Sequence, residues 1–81
     1  MQVLGQALAQ VAALQYAAQV LPAMVAPGDA VQIVGARSGL DIEDGPSVTV
    51  VFLATGYASR QCFDVWLAER FDGSVSIYGE W

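Results

Sequence analysis

The hydrophobic pattern of the chain changes its period at residues 27–29, Pro-Gly-Asp, and this change constrains the fold more than any other feature. Before it, the chain is rich in Ala, Leu and Gln, which are good helix formers. After it, apolar and polar residues alternate with the period of two that is typical of strands. The sequence therefore predicts a single α+β domain over residues 1–81. Its expected parts are a helix at 1–21, a linker at 22–29 and antiparallel strands at 30–81.

One face of the predicted helix is expected to pack on the sheet. At helical spacing, this apolar stripe consists of Val3, Leu4, Ala7, Val11, Leu14, Ala18 and Leu21. The helix is predicted to end at Leu21, because Pro22 disfavours helical geometry in the residue before it.

The opposite side of the helix is apolar where a side facing water would usually be charged. It consists of Ala9, Ala12, Ala13, Tyr16 and Val20, and the first 28 residues contain no charged side chain. A helix that is apolar on two sides is usually covered on both. We therefore predict a second cover for this helix back, at Tyr16 and Val20, with a second copy of the chain as the candidate; the sequence leaves open whether the helix back or the outer face of the sheet forms the dimer. The alternative is an Ala-rich back that stays in contact with water.

Four strands are predicted after the linker, rich in the β-branched and aromatic residues that strands prefer. They are residues 30–37 with a continuation at 40–43, then 47–54, 61–70 and 74–80. Gly35 and Gly39 interrupt the first strand and indicate a bulge or bend. The predicted architecture is an N-terminal α-helix packed on a four-stranded antiparallel β-meander, in the order α-β-β-β-β.

The loops between the strands are predicted from the requirement that one sheet face be apolar. If one strand slips by one residue against its neighbour, every side chain moves to the other face of the sheet. The alternation of apolar residues is therefore compatible with only some loop lengths. Three-residue loops at 44–46 and 71–73 and a four-residue loop at 56–59 meet the requirement. The core face of the sheet is then predicted to hold Ile33 or Val34, Ile42, Val48, Val50, Phe52, Phe63, Val65, Leu67, Ile77 and Trp81.

The other sheet face carries the candidate binding residues. These are an aromatic pair, two acids predicted to lie opposite each other, and two arginines: Trp66, Tyr78, Asp64, Glu80, Arg60 and Arg70. Apolar patches rimmed by polar groups mark interaction sites, and Trp, Tyr and Arg are frequent in them. The alternatives are a solvated face with one stabilising aromatic pair, a structural ion-pair cluster, or two carboxylates with separate acid and base roles.

The composition excludes several classes of site. The chain has no His and no Lys, so it holds neither a Ser-His-Asp triad nor a Schiff-base lysine. The single Cys62 allows no internal disulfide and no cysteine-cluster metal site, and it fits a reducing, cytoplasmic setting. Three arginines against eight acids do not favour nucleic-acid binding. We expect no metal and no cofactor.

The uncharged first 28 residues are not expected to enter a membrane. A signal peptide carries a basic start, which this segment does not have. A membrane span needs about 20 mostly apolar residues, and glutamines interrupt the run here.

These patterns contain no catalytic motif and favour a small acidic interaction module without enzymatic activity. We expect it to form a homodimer and to bind a protein partner. Accessory proteins of bacterial phages and mobile elements are often of this kind, which is an argument by analogy. The alternative is a small-ligand-binding protein or minor enzyme with a pocket near Asp64, Trp66 and Tyr78.

Overall fold

In the part of the chain that the structure describes, one helix packs on an antiparallel sheet, which confirms the predicted α+β class. The computed structural model describes the backbone of residues 2–43, 45–67 and 72–76 and the side chains of residues 8–40, 42–43 and 45–67. The elements are α1 (Gln2–Met24), β1 (Val31–Asp41), β2 (Gly45–Ala54), β3 (Gln61–Trp66) and the segment β4 (Asp72–Ser76). Strands β1, β2 and β3 are neighbours in sequence order, and α1 packs against β1 and β2.

The helix α1 continues to Met24, past the end predicted at Leu21. Pro22 lies inside it and removes one backbone N–H from the helical hydrogen bonds. The turn persists because Leu21 and Val25 on either side of the proline are both buried in the core. The Val25 amide also donates to the Leu21 carbonyl at 3.1 Å. Tertiary packing thus overrides the local preference of the proline.

The helix presents a different face to the sheet from the one predicted. The buried column consists of Ala13, Ala17, Leu21 and Val25, spaced four residues apart. Val11, a member of the predicted core stripe, is 53% exposed, so that prediction is wrong for this residue. Small alanines let the helix backbone approach the sheet closely. The predicted face carried larger apolar side chains, which would hold the helix farther from the sheet. Among the stripe members whose side chains are described, Val11, Leu14, Ala18 and Leu21, only Leu21 is fully buried.

The first hairpin turns two residues earlier than predicted. Asp41 lies opposite Gly45, so the turn falls between these two residues in place of the predicted loop at 44–46, and strand β1 is continuous where two segments were expected. Ile42, a predicted core residue, lies in this turn and is fully exposed. The predicted irregularity is confirmed at one glycine, since the register with β2 shifts between Ile33 and Gly35.

The second hairpin keeps the predicted faces but changes the partners. Val50 lies opposite Phe63, and Phe52 lies opposite Gln61 rather than Phe63. This register differs from the prediction by two residues, and an even shift leaves every side chain on its face. The predicted core positions Val48, Val50, Phe52, Phe63 and Val65 are accordingly all fully buried.

The third pairing also differs from the predicted register. The backbone of β4 places Val75 opposite Phe63, Ser74 opposite Asp64 and Asp72 opposite Trp66. The prediction had paired Trp66 with Tyr78 and Asp64 with Glu80, so both pairings are corrected. The rest of the predicted strand 74–80, including Ile77, and the predicted core residue Trp81 lie outside the described residues.

The core lies between α1 and one face of the sheet. Its largest fully buried side chains are those of Phe52, Phe63 and Leu21, surrounded by valines of β2 and β3. Burial of each such large apolar side chain contributes about 1.5–3 kcal/mol relative to exposure. Because this core uses one face of the sheet, the other sheet face and the remaining helix surface are available for other contacts.

Candidate interaction surfaces

The face of the sheet opposite α1, here called the outer sheet face, consists of Thr49, Val51, Leu53, Cys62, Asp64 and Trp66. Alternation along β2 and β3 turns these residues away from the core valines and phenylalanines. Val51 and Cys62 are fully buried there, while Leu53 remains 39% exposed and Trp66 is half-buried. The outer sheet face is therefore partly apolar and partly open to solvent.

A hydrogen bond joins the two central polar residues of the outer sheet face. The Thr49 hydroxyl donates to Oδ1 of Asp64 at 2.8 Å, and the two residues lie directly opposite each other on β2 and β3. A half-buried carboxylate with such a donor stabilises the strand pairing, a structural role. The predicted neighbour of Asp64, Glu80, lies outside the described residues, and the backbone opposite Asp64 belongs to Ser74.

The predicted site residues are only partly brought together. Asp64 and Trp66 both lie on the outer sheet face, two positions apart on β3. Arg60 is exposed just before β3 begins. Arg70, Tyr78 and Glu80 lie outside the described residues.

An open cavity of about 250 Å³ lies at the end of β2, away from the predicted pocket. It is lined by Ala30, Val31, Gln32, Leu53, Ala54, Thr55 and Tyr57. Neither Asp64 nor Trp66 belongs to it, and its lining includes no carboxylate. The cavity therefore offers an apolar depression with one phenol, one hydroxyl and one amide, rather than an acid-base site.

Within residues 2–43, 45–67 and 72–76, no group of three or more His, Cys, Asp or Glu residues is arranged to hold a metal ion. In the same residues, no helix is long and apolar enough to cross a bilayer.

The helix residues predicted to receive a second copy lie instead against the chain's own sheet. The Tyr16 ring stacks on Phe63, with centroids 6.1 Å apart and planes 22° from parallel. Val20 is half-buried and packs on the same core. The helix α1 is thus turned about its axis relative to the expected orientation, and Tyr16 and Val20 pack on the chain's own core while staying partly exposed; a contact of a second copy with them stays a prediction. A signal was present in the four-residue spacing of Ala13 and Ala17, which permits close contact with the sheet.

The exposed surface of α1 is instead formed by residues on and beside the stripe predicted for the core. Leu8 is 62% exposed and Val11 is 53% exposed, and Gln15, Ala18 and Gln19 are also exposed. None of these side chains is charged. An uncharged exposed helix surface that includes large apolar side chains is typical of an interaction surface.

Strand β1 lies at the edge of the sheet, next to this helix surface. It pairs with β2 on one side, and no other strand within the described residues pairs with it. The side chain of Gln10 donates to the Ser38 hydroxyl at 2.9 Å and so connects α1 to this strand. Val34 and Leu40 on the strand are 42% and 80% exposed.

No model of a protein family matches the chain, and no curated protein or solved structure is significantly similar to it. Its function is therefore argued from the surfaces described above.

Proposed function

We propose that the chain is a non-enzymatic interaction module that forms a homodimer and binds a protein partner. The observation that carries this proposal is the exposure of large apolar side chains on an uncharged helix, above all Leu8 at 62% and Val11 at 53%. Exposed apolar surface of this kind is favourable to bury, at about 25 cal/mol per Å². A second copy of the chain would cover it on both molecules at once.

The partner-binding part of the proposal rests on the outer sheet face. Trp66 is half-buried and Leu53 is 39% exposed, so both offer apolar surface to another molecule. Arg70, Tyr78 and Glu80, which lie outside the described residues, remain part of this proposed partner-binding surface. Aromatic and arginine side chains are the residues that most often dominate binding energy at protein interfaces.

The chemistry of the chain supports binding rather than catalysis. The only hydrogen bond described for Asp64 comes from Thr49, and the cavity at the end of β2 contains neither Asp64 nor Trp66. We propose a cytoplasmic protein, since its single Cys62 is a buried free thiol. By analogy with other small acidic chains, we propose an accessory role in a phage or mobile element of a bacterium.

Light scattering over a range of protein concentrations tests the self-association. The expected result is a mass that rises from the 8.5 kDa of one chain to twice that value. A mass that stays at 8.5 kDa up to high micromolar concentration would remove the homodimer from the proposal.

Partner binding is tested by capture from a native lysate with the unmodified chain and with Trp66→Ala. The proposal expects a protein that the unmodified chain retains and the variant loses. Met24→Ala, at an exposed apolar position of α1 outside the outer sheet face, is the matched control and should retain the protein. Equal capture by all three chains would show that the outer sheet face does not bind it.

A further inference from the structure

Two features that the proposed function does not yet use lie side by side at one edge of the molecule. The first is the free edge of β1, an eleven-residue strand with β2 on one side only among the described strands. Such an edge presents backbone N–H and C=O groups that can pair with another strand. From Ala36 to Asp41, beyond the bulge, the pairing with β2 is regular, so this part of the edge forms an even template.

Natural sheets often protect such an edge with lysine, proline or charge. Here the strand contains no Lys and no Pro, and its ionisable residues are Arg37 and Asp41. Val34 and Leu40 are apolar and exposed at 42% and 80%. The edge is thus poorly protected against pairing, and its bulge at Ile33 and Gly35 is its main irregularity.

The second feature is the side of α1 above this edge. The hydrogen bond from Gln10 to Ser38 fixes that side of the helix over β1, whereas the stack of Tyr16 on Phe63 fixes the other side over β3. One turn after Gln10 and on the same side, Leu14 is half-buried. Val11 and Ala18 continue the row outward and are exposed. We call Val11, Leu14 and Ala18 the α1 flank.

The charge distribution indicates what can cover these two features. The chain carries a net charge of −5, and no charged residue lies in its first 28 residues. Two copies repel each other wherever their acids approach, because like charges face each other. The α1 flank carries no charged side chain, so two copies can meet there without bringing like charges into contact. An edge strand paired antiparallel with its own copy is also self-complementary, as a symmetric dimer requires.

We propose that a second copy of the chain covers both features at once, with β1 pairing antiparallel with the β1 of its partner. The twofold axis then stands perpendicular to the sheet, so the two sheets join and both helices lie on one face. The two α1 flanks meet above the axis. This inference rests on the proposed self-association and names the surface that produces it.

A pair of neighbouring helix substitutions tests the flank. Ala18→Glu places a carboxylate on the α1 flank, and Gln19→Glu places the same charge one residue away on the other side of the helix. Both residues are exposed, so both variants should fold, which circular dichroism checks. We expect Ala18→Glu to raise the dimer dissociation constant by at least about tenfold, because two like charges meet at the interface. Gln19→Glu should change it by less than about threefold.

Amide hydrogen exchange tests the edge without any substitution. In the dimer, amides of residues 36–41 should gain protection as the concentration of the unmodified chain rises, and Ala18→Glu should abolish that gain. The amides of β3 should show no such dependence. If the chain dimerises while residues 36–41 exchange equally at all concentrations, the proposed surface is wrong and self-association stands.

Two other results would contradict the proposed β1 pairing in different ways. A chain that remains monomeric overturns both this inference and the homodimer of the proposed function. Protection of residues 36–41 that arises only when another protein is added would show that a different strand occupies the edge, and would overturn the second copy as occupant.

Discussion

The two faces of the sheet differ in how completely the chain covers them. On the face below α1, the valines of β2 and the phenylalanines are fully buried by a helix whose contact column begins with two alanines. On the outer sheet face, Val51 and Cys62 are also fully buried, but Thr49, Asp64 and Trp66 are half-buried and Leu53 is exposed. The face below α1 therefore supplies the main core, whereas the outer sheet face keeps side chains that remain open for binding.

The largest expected effect concerns the centre of the face below the helix. Phe63→Ala removes a fully buried ring and its stack with Tyr16, and should lower the free energy of unfolding by about 3–5 kcal/mol. Leu53→Ala on the outer sheet face is the control and should cost less than about 1.5 kcal/mol. Denaturant unfolding of both variants measures the difference. Equal losses would mean that the two faces contribute equally to the core.

The close approach of the helix is tested by enlarging one of its contact residues. Ala17 is fully buried against the sheet, so Ala17→Leu should overpack the interface and destabilise the fold by about 1–3 kcal/mol. Ala23→Leu makes the same change at an exposed position of α1 and should alter stability by less than about 0.5 kcal/mol. Thermal unfolding of the two variants gives the comparison. A stabilising Ala17→Leu would contradict the described packing.

A smaller effect is expected for the polar pair on the outer sheet face. Thr49→Val removes the hydroxyl that donates to Asp64 at 2.8 Å and should cost about 1–2 kcal/mol. A double-mutant cycle with Asp64→Ala isolates this interaction from the rest of each side chain. A coupling energy near zero would show that the hydrogen bond contributes nothing to the strand pairing.

The smallest effect concerns the thiol of the outer sheet face, where no change of stability is involved. Cys62 is fully buried, so a thiol reagent should modify it only as fast as the surrounding strands open. Leu53→Cys, with a thiol at a partly exposed position of the same face, should react much faster at that new site. Equal rates at the two thiols would show that the outer sheet face is open throughout.

For the described residues of β2 and β3, the sequence predicted which side of the sheet each side chain faces, because the alternation of apolar residues has only two solutions. Val48, Val50 and Phe63 are buried as expected. The residues that lie opposite each other on neighbouring strands were not predictable in the same way. Sliding one strand along the next by an even number of residues leaves every side chain on the same face, so it satisfies the same pattern. Ile42 shows the consequence, because an even shift of the first hairpin moved it from the expected core into the loop.

The orientation of the helix was the least predictable part of the fold. The periodicity of the helix indicates two apolar faces. The face with larger side chains was predicted to pack on the sheet, in preference to the face with alanines. Close packing on a sheet favours small residues at the contact, which is why Ala13 and Ala17 are fully buried while Val11 is exposed. As a result, the sequence predicted an uncovered apolar helix face but assigned it to Tyr16 and Val20.

Self-association through an uncharged surface is the central claim, and its dependence on salt tests it most directly. Sedimentation equilibrium of the unmodified chain at low and at high salt measures the dimer dissociation constant. The account predicts a dimer that tightens as salt is added, because salt screens the repulsion between two copies of net charge −5. A dimer that weakens with salt would indicate an interface held by ion pairs, and a mass of 8.5 kDa at both salt concentrations would contradict self-association altogether.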